Sequence, residues 1–183
     1  MNEQLNLRKR IIFTGLVTIL IWSHLAWDYF HDGVPTHHLF HSADFPGMSN
    51  WWGGIALPLI TWFLLYRVQK RMNENENSNT DHNLTQVVYR FSGALIFGIV
   101  LSILFTLGSD APGYMMIGII VLSFFIPLFR AEYLLGYILG LAYTFGAIIP
   151  IVLGSILATL FFIAYKFVRA GMLFIMSKIK RNN

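Results

Sequence analysis

YLLGYILGLAYTFGAIIPIVLGSILATLFFIAY, residues 133–165, is an apolar run with no charged side chain, and the number of times it crosses a membrane decides the fold. As one helix at about 1.5 Å per residue it would measure roughly 50 Å, far beyond a hydrocarbon core about 30 Å thick. As two short helices joined at Gly146 to Pro150 it fits. Charge selects between the readings. With two helices the chain crosses six times, and both termini lie on one side with every connection that carries Lys or Arg. Those residues are Arg8, Lys9, Arg10, Arg67, Lys70, Arg71, Arg90, Arg130, Lys166, Arg169, Lys178, Lys180 and Arg181, all 13 in the chain. A five-span chain would strand the basic tail outside, against the cytoplasmic bias of Lys and Arg.

Working outward from that run, the sequence predicts an all-α integral membrane protein, a six-transmembrane-helix bundle with N and C termini cytoplasmic. Of 183 residues, 56% are hydrophobic and only 12% charged, against about 25% charged in soluble domains. Backbone in lipid must satisfy its own hydrogen bonds, so helices are the expected form. The spans fall at 11–30, 51–66, 87–107, 114–129, 133–148 and 150–166 of one polytopic domain covering 1–183. Residues 67–86 read as a polar cytoplasmic loop, and 167–183 as a basic, interfacial amphipathic extension. The first span is not expected to be a cleaved leader. Its apolar character continues through Trp22, Leu25, Ala26 and Trp27, and a cut after Ala26 would put His24 where small residues are needed.

Within the spans, Pro58 is expected to kink the second, and Trp51 and Trp52 read as interface anchors. Ala94 and Gly98 offer a close-packing face in the third. Gly108 to Gly113 reads as a tight turn. Gly136 and Gly140 have the GxxxG spacing that suits close helix packing, within the chain or against a homo-oligomeric or other membrane partner. Arg90 is expected to snorkel, and Arg130 and Glu132 to pair or to lie in a cytoplasmic turn.

The chemistry concentrates between His24 and Trp52. Five of the 6 histidines, His24, His31, His37, His38 and His41, lie there with Asp28, Asp32 and Asp44. Ionisable side chains at the end of an apolar helix are costly to keep near lipid and mark functional sites. His24, Asp28 and His31 are spaced by four and three, so a helix puts them on one face. His37, His38 and His41 have separations that a single helical turn would stack. The six-span topology puts this whole segment, and Asp110, on the side opposite the basic residues, which in a bacterial inner membrane is the extracytoplasmic face.

Imidazole and carboxylate are donors for a divalent metal such as zinc, and with 0 cysteines any metal site must use nitrogen and oxygen. The predicted ligands are His24, Asp28, His31, His37, His38 and His41. Asp32 and Asp44 are the predicted catalytic carboxylates, orienting a ligand imidazole or acting as base toward metal-bound water. Acid should weaken such a site, because protonated histidine does not ligate. There is no HExxH, and there are too few histidines for the eight-His di-iron pattern of membrane desaturases. Nucleotide-binding glycine loops, nucleophile elbows and triads are likewise missing.

These observations point first to a membrane-embedded metal-dependent enzyme, a hydrolase of lipid or lipid-linked substrates at the extracytoplasmic face. The alternatives are a small transporter or proton/metal-conducting protein entered through the His/Asp cluster, and a non-catalytic membrane assembly subunit. The net charge of +4 and pI near 9.5 carry no nucleic-acid signal, because the basic residues sit at segment ends. The bilayer is the expected partner.

Overall fold

The structure, a computed structural model, describes residues 5–31, 33–34, 36–38, 47–74 and 84–182, with backbone alone for 36–38, 47, 48, 169 and 172–182. Its elements are α1 (Leu7–His31), β1 (Thr36–His38), β2 (Gly47–Ser49), α2 (Trp51–Glu74), α3 (Leu84–Thr106), α4 (Ala111–Ser123), α5 (Ala131–Phe145) and α6 (Ile148–Asn182). Apart from the three-residue strands, which pair antiparallel with Thr36 opposite Ser49, the fold is helical. Among the described residues three helices, α1, α3 and the 148–168 part of α6, are long and apolar enough to cross a membrane. Their outward faces carry side chains such as Ile19, Leu20, Ile96, Ile103 and Ile156, each more than half exposed. An apolar surface this extensive is suited to lipid rather than to water.

The run at 133–165 divides at its glycine. α5 ends at Phe145, Gly146 takes φ 68°, and α6 begins at Ile148. A positive φ suits glycine, which has no Cβ to clash with the carbonyl. Pro150 then falls in the first turn of α6, where a missing N–H interrupts no intrahelical bond. Beyond Tyr165 the helix continues without interruption through the basic tail to Asn182.

Other boundaries differ from the sequence expectation. Residues 67–74, expected in the polar loop, continue α2, and Leu84 to Gln86 already belong to α3. Charged residues are good helix formers, and Lys70 lies 3.7 Å from Glu74 one turn on. Pro58 lies inside α2 without ending it. α4 stops at Ser123, six residues short of the expected 129. Pro127 is the reason: it disfavours helical backbone at Ile126 and lacks the N–H that would bond back to Ser123. Residues 36–38 are strand rather than a helical turn, so His37 and His38 occupy successive strand positions.

α5 is the central element, packed by α3, α2 and α6, while α1 packs on α2. Its buried face includes Leu135, Gly136, Ile138, Gly140 and Ala142. The tightest contact is with α3. A Cβ added at Gly136 would lie 2.3 Å from the Phe91 carbonyl oxygen, and one at Gly140 would lie 2.6 Å from that of Leu95. Gly98 meets Gly140 in return, and Ala94 faces Gly136. The two small-residue spacings are therefore complementary halves of one intramolecular seam, a mode that lets helix backbones approach closely in lipid.

Candidate functional site

Of the predicted metal set, α1 brings His24 and Asp28 together. His24 Nδ1 lies 3.6 Å from Asp28 Oδ1, with side-chain exposures of 23% and 16%. The second oxygen, Asp28 Oδ2, is buried and accepts no hydrogen bond among the described residues. A carboxylate oxygen kept from water without a donor is costly, and a cation or a bound water relieves that cost. The Asp28 backbone carbonyl accepts from the Gly33 N–H at 2.8 Å, and Gly33 has φ 83°, so the chain turns sharply off the helix soon after Asp28.

His31 does not join them. Its Nδ1–H donates to the Trp27 carbonyl at 2.9 Å, and its ring stacks on the Trp27 indole with centroids 3.9 Å apart. That bond leaves the lone pair on Nε2, the tautomer a ligand needs, but on an exposed part of the helix end. Among the described residues no three His, Asp or Glu side chains gather into a group able to hold a metal. The predicted ligand His41 and the predicted catalytic Asp32 and Asp44 lie outside the described residues, as do the side chains of His37 and His38.

A groove lies close to this pair, with Tyr143 as the residue they share. It measures about 430 Å³ and runs between α3 and α5, lined by Ile99, Ser102, Ile103, Thr106, Tyr143 and Thr144. Tyr143 stacks on the His24 ring with centroids 4.9 Å apart. The groove's apolar walls and few hydroxyls suit a lipid tail, and Tyr143 joins it to the imidazole.

At the opposite end of α1 and α5 lies a polar cluster that sequence reasoning missed. Arg71 of α2 donates from Nη2 to both Glu132 oxygens, at 3.0 and 2.9 Å. Arg90 of α3 places Nη1 3.5 Å from the same carboxylate, and Arg130 precedes α5 as its N-cap. Glu132 is 1% exposed. Burial, then Arg90 and Arg71, pull the Arg130 pKa below its ordinary value, with Glu132 and Tyr133 opposing them. The same end holds Arg10, 6% exposed, which donates to Gln69 at 2.8 Å and lies 3.9 Å above the Trp62 ring. The available signal was Glu132 itself, the one acidic residue after Asp110. Arg90 is also tied to its own helix: its Nη2 donates to Gln86 at 3.1 Å.

No protein-family model, curated protein or solved structure matches this chain.

Proposed function

We propose that this chain is a six-span membrane enzyme, termini cytoplasmic, that uses a divalent metal such as zinc to hydrolyse a lipid or lipid-linked ester at the extracytoplasmic face. The observation that carries the reading is the His24–Asp28 pair with its buried, unsatisfied Asp28 Oδ2. Nitrogen and oxygen donors one helical turn apart are half of a catalytic metal shell, which takes three protein ligands and a water. His31 and the histidines at 37, 38 and 41 supply the remainder in this proposal. A bound metal would lower the pKa of its water and provide hydroxide at neutral pH. Asp32 or Asp44 would accept the water proton and return it to the departing alcohol.

The topology draws support from the contacts at the basic end. Arg10, Gln69, Arg71, Arg90 and Glu132 connect the start of α1, the end of α2 and the starts of α3 and α5. Those four helix ends therefore share one end of the bundle, consistent with basic connections on a single side. The groove that Tyr143 joins to His24 supports a lipid substrate. The assembly-subunit reading relied on Gly136 and Gly140, which α3 fills within the chain. Conduction would need a second mobile proton site, and Glu132 is pinned by Arg71 and Arg90.

The test is elemental analysis of protein purified without a histidine tag or chelator. About one metal per chain, lost in both His24→Ala and Asp28→Ala with helicity retained, is the expected result, followed by metal-dependent release of product from lipid esters. Metal-free protein that carries protons into liposomes through His24 would transfer the site to conduction instead.

A further inference from the structure

Among the described residues, Arg71, Arg90 and Arg130 gather around a single carboxylate, that of the fully buried Glu132. The buried Nη1 atoms of Arg90 and Arg130 donate no hydrogen bond among the described residues, and the 3.5 Å from Arg90 Nη1 to Glu132 is only an ion-pair distance. Buried Nη1 donors left unused in this way favour an anion, and the planar guanidinium fork matches phosphate oxygens.

An apolar cavity starts one turn away. It measures about 210 Å³ between α3, α4, α5 and α6, and its lining includes Gly93, Ala94, Phe97, Leu128, Tyr133 and Tyr137. Gly93, Ala94 and Phe97 follow Arg90 at three, four and seven residues, on the same helix face. Leu128 and Tyr133 flank Arg130 along the chain. The cavity is smaller than the roughly 300–1,000 Å³ of a drug-sized pocket, so it suits one hydrocarbon chain rather than a bulky ring system.

We propose that Arg90 and Arg130 bind the phosphate of an anionic phospholipid, with one of its acyl chains in the cavity between α3, α4, α5 and α6. Basic pockets between transmembrane helices recognise anionic headgroups by charge, and the adjoining apolar slot selects a lipid over a soluble anion. The site does not depend on the hydrolase reading, since it lies at the other end of α5 from Tyr143 and His24.

Titration of detergent-purified protein with phosphatidylglycerol, phosphatidylcholine or inorganic phosphate tests this, with thermal unfolding and native mass spectrometry as readouts. Phosphatidylglycerol should raise the unfolding midpoint and remain bound at one per chain, and the other two should do neither. Arg130→Gln removes a charge in a turn, and Ala158→Phe fills the cavity while leaving every charge in place. Each should weaken phosphatidylglycerol binding about tenfold or more, with helicity and elution unchanged. If Arg130→Gln fails to fold, Arg130→Lys together with Ala158→Phe answers the same question. Equal shifts with phosphatidylcholine, or binding indifferent to both variants, overturn the proposal. An equal shift with inorganic phosphate overturns it too, in favour of a free-anion site.

Discussion

Glu132 offers the clearest single-residue test of what holds the basic end together. Removing one partner of a buried ion pair typically costs about 3–5 kcal/mol, because the remaining charge stays buried without compensation. Glu132→Gln leaves the guanidinium groups of Arg71, Arg90 and Arg130 facing one another, so its unfolding free energy in micelles should fall by an amount in that range. His31→Ala should stay within about 0.5 kcal/mol, as befits an exposed residue bonded only to its own helix. A Glu132→Gln variant as stable as wild type would mean that the cluster is not structural. Its pH behaviour follows from Arg130. The unfolded chain holds that proton more tightly than the fold does, so the penalty is present at all lower pH and is relieved only as pH rises through the depressed pKa toward the ordinary guanidinium value, far above neutrality. Near neutrality the group keeps its charge, and stability should not vary through it.

Among the elements, the α3–α5 seam makes a graded prediction. The nearest backbone atom to an added Cβ lies at 2.3 Å for Gly136, 2.6 Å for Gly140 and 3.1 Å for Gly98. Alanine should therefore destabilise in that order, with overpacking at Gly136 costing about 1–3 kcal/mol or more. Unfolding of the three variants by denaturant in mixed micelles gives the ranking, and a reversed order would show that the helices shift freely. The helices themselves are largely readable from the sequence. Apolar runs locate all six, and Gly146 and Pro150 mark the break in 133–165. The continuation of α2 through Arg67 to Glu74 is hidden, because hydropathy reports affinity for lipid rather than for helix. In the candidate site, spacing places His24 and Asp28 together correctly. It places His31 with them only by helix face, and a side chain on the right face can still turn to the carbonyl one turn behind it. The gathering of Arg71, Arg90, Arg130 and Glu132 from three segments is a tertiary event to which no local pattern corresponds.

For the whole molecule, the absence of native cysteine makes the topology directly measurable. Single cysteines at Glu74 and Ser109 should label from opposite sides in sealed vesicles, Glu74→Cys from the cytoplasm and Ser109→Cys from outside. If only α1, α3 and α6 cross, the two exchange sides, so one labelling experiment separates a six-span chain from a three-span one. The short helices have a further effect on their surroundings. α4 with 13 residues and α5 with 15 are roughly 20 and 22 Å long, against about 30 Å of hydrocarbon. α5 is sheltered by its neighbours, but Tyr114, Ile117, Ile120 and Val121 of α4 lie on an exposed surface. Hydrophobic mismatch at that flank costs fractions of a kcal/mol for each ångström, and the bilayer can relieve it by thinning locally. The molecule should then sit in a lopsided dimple, full thickness beside α3 and pinched beside α4, and favour membranes rich in shorter chains.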